Sequence, residues 1–254
     1  MPLQHEPRPI HLRPAADLAE RVLLPGDPHR ALAVAQHLLD APKMFNHTRG
    51  LWGYTGTAAD GELLTVQSTG MGGPSAAIVV EELIALGARR LVRIGTCGAL
   101  GGGLALGDLV AAESVLPADG TSAALGANGS LAPHPGLLAR LVAAGARPAR
   151  IVTSDLFYDP REGMAGEWAN RGAVAVEMEA ATILLVAAMR GAEAACVLGV
   201  SDIVGGPRAE PEQLDALGLR VGEAGYAAVE QIERAVSRGA SAASTASARR
   251  EERR

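Results

Sequence analysis

Short apolar runs alternate with longer stretches of helical spacing along this chain, and that alternation constrains its fold more than any other feature. The pattern predicts strands over Arg21–Pro25, Leu63–Gln67, Leu91–Gly95, Asp108–Ala112, Arg150–Thr153, Ala173–Val176 and Ala195–Val200. It predicts helices over Pro74–Leu86, Gly136–Ala144, Glu179–Arg190 and Glu212–Arg234. Strands interleaved with helices specify the α/β class, with a largely parallel or mixed sheet covered on both faces. Pro74, with glycines before it, suits the first turn of its helix. The stretch Ser114–Pro135 is rich in Gly, Ala, Ser and Pro and reads as a long loop.

The core has to be aliphatic. Of 254 residues 48% are hydrophobic, yet only two Phe, three Tyr and two Trp are present. That length suits one large domain or two small ones, α/β folds of this size being commonly single units, and it needs neither disulfides nor a structural metal to build a core. The expected organisation is an N-terminal arm over 1–10, a folded domain over 11–236 and a disordered tail over 237–254, where Ser and Ala dominate without apolar periodicity. A net charge of −5 argues against broad nucleic-acid binding. Two cysteines, Cys97 and Cys196, make no secreted framework and no metal cluster. No apolar run approaches a membrane span, and the polar, proline-broken N terminus lacks a signal-peptide core. A soluble cytoplasmic protein with no membrane partner is expected.

Four polar insertions interrupt strand ends, where ligands collect in sheets of this type. The first, Gly26-Asp27-Pro28-His29-Arg30, offers close backbone approach and a guanidinium fork suited to phosphate, or else a plain turn with a solvated arginine. The second, Ser68–Ser75, resembles an anion-binding loop at a helix N terminus but fails the dinucleotide and Walker patterns; a tight turn explains it equally well. In the third, Arg93 stands inside an apolar strand, which is costly unless an anion or a carboxylate pairs with it, and Thr96 adds a hydroxyl just beyond. In the fourth, Glu177-Met178-Glu179 carries an apolar strand into an apolar helix. Its carboxylates could serve the helix dipole or accept two sugar hydroxyls. Ser201-Asp202 closes another apolar strand, where Asp202 could cap a helix or donate a proton.

With GDPHRA (26–31), TRGLWGYTG (48–56), STGMGGPS (68–75), RIGTCGA (93–99), SDLFY (154–158), VEMEAAT (176–182) and VSD (200–202) in that order, the chain resembles the nucleoside phosphorylase family from about His11 to Val236. That family includes hexameric purine nucleoside phosphorylases, methylthioadenosine phosphorylases and uridine phosphorylases. The resemblance implies a three-layer α/β/α fold around a central mixed, twisted sheet. It implies cleavage of a nucleoside's N-glycosidic bond by inorganic phosphate, a co-substrate, with no metal or organic cofactor. Carried over residue by residue, Gly26, Arg30, Arg93 and Thr96 fall on phosphate positions, and Arg49 on an arginine lent to a neighbouring subunit's phosphate. His11, offset by one residue, falls on a histidine lent to the neighbour's nucleoside 5′ end. Met178 and Glu179 fall on ribose positions, with Glu177 and Ser201 joining the substrate-binding set. Phe157 and the backbone at Cys97-Gly98 fall on the base pocket, and Asp202 is the expected acid. Sharing of His11 and Arg49 implies self-association, with a hexamer built as a trimer of dimers.

Two departures bear on the base. Uridine phosphorylases carry an insertion after the Phe-Tyr pair that reads the pyrimidine, and the nine residues between Tyr158 and Trp168 are too few for it. Purine nucleosides are therefore expected, with uridine phosphorylase, methylthioadenosine-specific phosphorylase and a water-using nucleosidase as alternatives. The arginine that follows the catalytic Asp by about thirteen residues in bacterial hexameric enzymes has no counterpart, because Asp215 or Leu217 stands there. Arg208 and Arg220 are the candidates to replace it.

Overall fold

The computed structural model describes residues 8–101 and 103–231. Residues 1–7 of the expected arm, the domain boundary at 236 and the tail over 237–254 lie outside the described residues. All seven predicted strands are present, as β1 (Arg21–Leu24), β4 (Leu63–Gln67), β5 (Arg90–Ala99), β6 (Leu109–Ala118), β7 (Arg147–Ser154), β8 (Ala175–Glu177) and β9 (Glu193–Ile203). The four predicted helices are α2 (Gly73–Leu86), α4 (Pro135–Ala143), α6 (Ala180–Arg190) and α7 (Pro211–Val229).

Five elements come in addition: β2 (Asp40–Asn46), β3 (Gly53–Thr57), α1 (Pro28–Leu38), α3 (Gly120–Ala124) and α5 (Met164–Asn170). β2 is mostly exposed and paired to β3 with register shifts, so it shows no apolar alternation. α1 starts inside the Gly-Asp-Pro insertion. The Asp27 side chain accepts from the Arg30 N–H at 2.7 Å, and Pro28 takes the first helical position. The plain-turn reading is thereby replaced by a helix start that carries Arg30 in its first turn. The expected loop over Ser114–Pro135 is also corrected: β6 runs on to Ala118 and Asp119 caps α3.

The nine strands form one mixed sheet in the order β2-β3-β4-β1-β5-β8-β7-β6-β9. β9 pairs antiparallel with β6 and also parallel with β5, so β5, β8, β7, β6 and β9 close into a ring while β1 to β4 extend from it. Two aliphatic cores fill the faces. Val79, Leu83, Ile183 and Val186 of α2 and α6 pack in one; Val34, Leu141, Leu217 and Val221 of α1, α4 and α7 pack in the other. α7 lies so close to the sheet that a Cβ on Gly225 would sit 2.5 Å from Ile94 Cγ2. No helix among the described residues is long and apolar enough to cross a membrane. The arrangement is α/β with helices on both faces of a mixed sheet.

Candidate active site

The ends of β1, β5, β7, β8 and β9 open into one cavity of about 720 Å³. β5 brings Arg93, Thr96, Cys97 and Gly98 to it; the turn after β1 brings Gly26, and α1 brings Arg30. Glu177, Met178 and Glu179 enter from the β8–α6 junction, Phe157 from the segment after β7, and Ser201 and Asp202 from the end of β9. Residues scattered over 176 positions of sequence are thus neighbours here.

Arg93 is the buried hub. Its Nε lies 2.7 Å from Glu177 Oε2, and its Nη2 pairs with Glu179 Oε2. The carboxylate reading of this arginine therefore holds: it is ion-paired within the chain, and Nη1 remains buried with no hydrogen-bond partner among the described residues. Burial disfavours the charge on Arg93, but Glu179 and Glu177 outweigh it and raise its pKa. Arg30 shows the opposite balance: burial and the Arg93 charge lower its pKa. Asp27, Glu179 and Asp215 pull the other way on Arg30.

The two carboxylates have different jobs. Glu177 is saturated: Oε2 accepts from Arg93 Nε, Glu179 N–H (2.8 Å) and Ala180 N–H (2.9 Å), while Oε1 accepts from the Thr153 hydroxyl and Ala180 N–H (3.0 Å). It fixes Arg93 and the start of α6. Glu179 turns away from the helix it precedes: Oε1 accepts from Gly72 N–H at 2.5 Å and Oε2 meets Arg93. One further lone pair on each oxygen is left for a hydroxyl donor. Burial first, and then the nearby Glu177, raise the Glu179 pKa against the pull of Arg93, Gly72 N–H and Arg30. The Ser68–Ser75 loop resolves accordingly. Gly72, at φ +86°, directs its N–H onto Glu179.

Asp202 owes its position to a bulge. Cys97 pairs with Val200 and Gly98 with Asp202, so Ser201 is an extra residue in β9. A Cβ on Gly98 would lie 2.9 Å from Asp202 Oδ2, so a larger residue opposite would displace the Asp202 carboxyl. The Ser201 hydroxyl is 2.8 Å from Asp202 Oδ1 and 3.2 Å from the Cys97 carbonyl. Its single proton serves a carboxylate by pointing to Asp202. Rotated to the carbonyl, the same hydroxyl accepts from a carboxylic acid. Burial raises the Cys97 thiol pKa, so Cys97 is a neutral wall.

The mouth is aromatic at one side: Phe157 is 59% exposed and stands edge-on to Tyr158, with ring centroids 5.0 Å apart. Trp168, buried on α5, forms part of the floor with Met164 beside it. Asp159 and Arg161 form a bidentate pair at the rim, at 2.8 and 2.6 Å. Sequence reading missed Thr153, Met164, Trp168, Asp159 and Arg161, and it gave Gly72 no partner. The alternation in Glu-Trp-Ala-Asn was too short to announce α5, whereas Thr153 stood in plain view as a hydroxyl at the end of a predicted strand.

Two expected residues do not line this cavity. His11 is held by Glu82 of α2, whose buried carboxylate accepts its ring Nδ1 (2.7 Å) and the N–H groups of Ile10, His11 and Leu12. Arg49 is exposed, at φ +59°, on a 3₁₀ turn. Asn46 Nδ2 and Gln67 Nε2 both donate to the Leu51 carbonyl and hold that turn. Of the two candidate arginines, Arg208 lines the cavity, and Arg220 instead donates to the Gly107 carbonyl at 3.0 Å. No group of three or more His, Cys, Asp or Glu among the described residues could hold a metal ion.

This cavity sits in a fold with a defined family. Residues 20–238 match the family model described as the phosphorylase superfamily, and the chain belongs to that superfamily. Within it the chain is similar to DeoD-type purine nucleoside phosphorylases. It is 40% identical over 196 residues to that of Caldanaerobacter subterraneus subsp. tengcongensis, covering 73% of this chain and 84% of the relative. It is 39% identical over 203 residues to that of Roseobacter denitrificans, covering 76% and 86%. A crystal structure of uridine phosphorylase from Vibrio fischeri ES114, complexed with 6-hydroxy-1-naphthoic acid, superposes with a TM-score of 0.74 at 24% identity over 84% of this chain and 90% of that one. That likeness bears on the fold alone.

Proposed function

We propose that this chain is a purine nucleoside phosphorylase: it cleaves the N-glycosidic bond of purine nucleosides with phosphate, giving free base and (deoxy)ribose 1-phosphate or a 5′-substituted analogue. The observation that carries this reading is the unpartnered Nη1 of Arg93, a buried charged donor in the same cavity as Asp202. A buried donor left unmade is costly, and an anion is its natural complement. Arg30, the Thr96 hydroxyl and the backbone at Gly26 complete a phosphate seat. Glu179 accepts the ribose hydroxyls beside Met178, and Phe157 with the Cys97-Gly98 backbone walls the base. A phosphate oxygen bonds to C1′ as the bond from C1′ to the base breaks, and Asp202 supplies the proton that the leaving purine takes up. An arginine about 4 Å from a unit charge gains roughly 4 kcal/mol at an effective dielectric near 20, before desolvation, so the seat orients a dianion well.

Glu177 is a positioning residue in this scheme rather than a substrate contact, because its oxygens are already filled. Arg49 and His11 are read as lent to a second copy, within a hexamer built from dimers. A fully active monomer by light scattering would contradict that arrangement. The function itself is tested by base release from inosine, adenosine, methylthioadenosine and uridine, with and without phosphate. Phosphate-dependent release from purine nucleosides is expected. Release that ignores phosphate means a nucleosidase, and activity confined to uridine refutes the purine assignment.

A further inference from the structure

β9 does not simply stop beyond Asp202. Ile203 N–H donates to the Pro207 carbonyl at 2.9 Å, Gly206 N–H to Ile203 at 2.8 Å and Ala209 N–H to Ser201 at 2.8 Å. The chain therefore turns back on itself, and Asp202 and Arg208 form an antiparallel bridge. Residues directly opposed in an antiparallel pair project from the same face with their Cβ atoms about 5 Å apart. Both line the cavity. No hydrogen bond or ion pair joins the Arg208 side chain to another described residue.

This placement has a chemical consequence for the base, resting on the proposed role of Asp202 as proton donor to the purine N7. The atom beside N7 on that edge of a purine is the substituent on C6. A 6-oxopurine presents an acceptor there and a 6-aminopurine a donor, and a guanidinium paired with O6 and N7 is the commonest specific contact to guanine. Arginine has donors only. A 6-amino group would therefore meet N–H against N–H.

We propose that Arg208 is a specificity residue that reads the oxygen at C6 and makes 6-oxopurine nucleosides the preferred substrates. The hairpin delivers it one strand spacing from the acid, so a single edge of the base meets both groups. A site that hydrogen-bonds a substrate group rejects the analogue without it, and one charge-assisted bond corresponds to about tenfold to a hundredfold.

The test is kcat/KM for inosine and for adenosine at saturating phosphate, in the wild type, Arg208→Gln and Arg208→Lys. The wild type should prefer inosine by about tenfold or more. Arg208→Gln, whose amide both donates and accepts, should lose activity on inosine and hold it on adenosine, bringing the ratio towards one. Arg208→Lys, a donor without the fork, should keep part of the preference. A wild type without preference, or equal loss on both nucleosides in both variants, overturns the proposal; equal loss would mean that Arg208 only balances the Asp202 charge. A parallel Asp202→Asn arm separates the two readings. If that variant keeps full turnover, the role of Asp202 fails; if it collapses while the inosine to adenosine ratio ignores position 208, only the reading of O6 fails.

Discussion

Asp202→Asn is expected to lower kcat on inosine by about 10²–10⁴ while equilibrium binding of phosphate and nucleoside stays close to wild type. A purine leaving as an anion is a poor leaving group, and the acid is the only contribution that the substitution removes. The amide is the same size as the carboxyl, so it fits beside Gly98 and its oxygen still accepts from Ser201. What it lacks is a proton to give. A nucleoside whose base is already cationic, such as 7-methylguanosine, leaves without that proton and should be spared. The comparison of the two substrates in the same variant isolates proton donation from any disturbance of the bulge. Near-normal turnover on inosine would remove Asp202 from the mechanism.

The second large effect belongs to Arg93 and shows in stability as well as rate. Arg93→Met strands Glu177 and Glu179 in the interior, and removing one partner of a buried ion pair costs about 3–5 kcal/mol. Urea unfolding measures this directly. The pH dependence follows from Glu179, whose pKa lies above the ordinary 4.5 and loses its main downward pull when Arg93 goes. A carboxyl with a raised folded pKa binds protons more readily when folded, so stability falls as pH rises above 4.5 through the raised value. The variant's deficit should therefore shrink as the pH is lowered from neutral. Arg93→Lys keeps the charge without the fork. It should fold better than the methionine variant and still need markedly more phosphate, with about 10²-fold lower kcat/KM at limiting phosphate. An Arg93→Lys enzyme with wild-type phosphate dependence would take Arg93 out of the phosphate seat.

How much of this was legible in advance depended on whether a signal was local. Apolar runs flanked by glycine marked every strand of the closed ring, because burial on both faces leaves continuous hydrophobic sequence. β2 escaped because it is mostly exposed, and its partner β3 because glycine and threonine interrupt it. The polar insertions led to the cavity, since an arginine in an apolar strand and paired acids at a strand end need partners wherever they are. The partnership itself was not readable: nothing in the spacing showed that Glu177 would be saturated while Glu179 stayed open. The bulge at Ser201 was equally silent, because an extra residue in one strand is defined only against its neighbour. Arg49 and His11, expected to serve a neighbouring subunit, lie away from the chain's own cavity.

The scarcity of aromatic residues has a practical side. Tyr54 is buried in the core and Trp52 packs beside His29, with ring centroids 5.2 Å apart, so those two serve structure. Of the chain's two tryptophans, only Trp168 is part of the cavity lining. If the base binds in this cavity as proposed, its arrival is expected to change the polarity around the Trp168 indole. With Phe in place of Trp52, emission from the protein becomes a single-site optical signal. Nucleoside titrations and stopped-flow records could then be taken on the unlabelled protein, with filling of the site separated in time from the chemistry that follows.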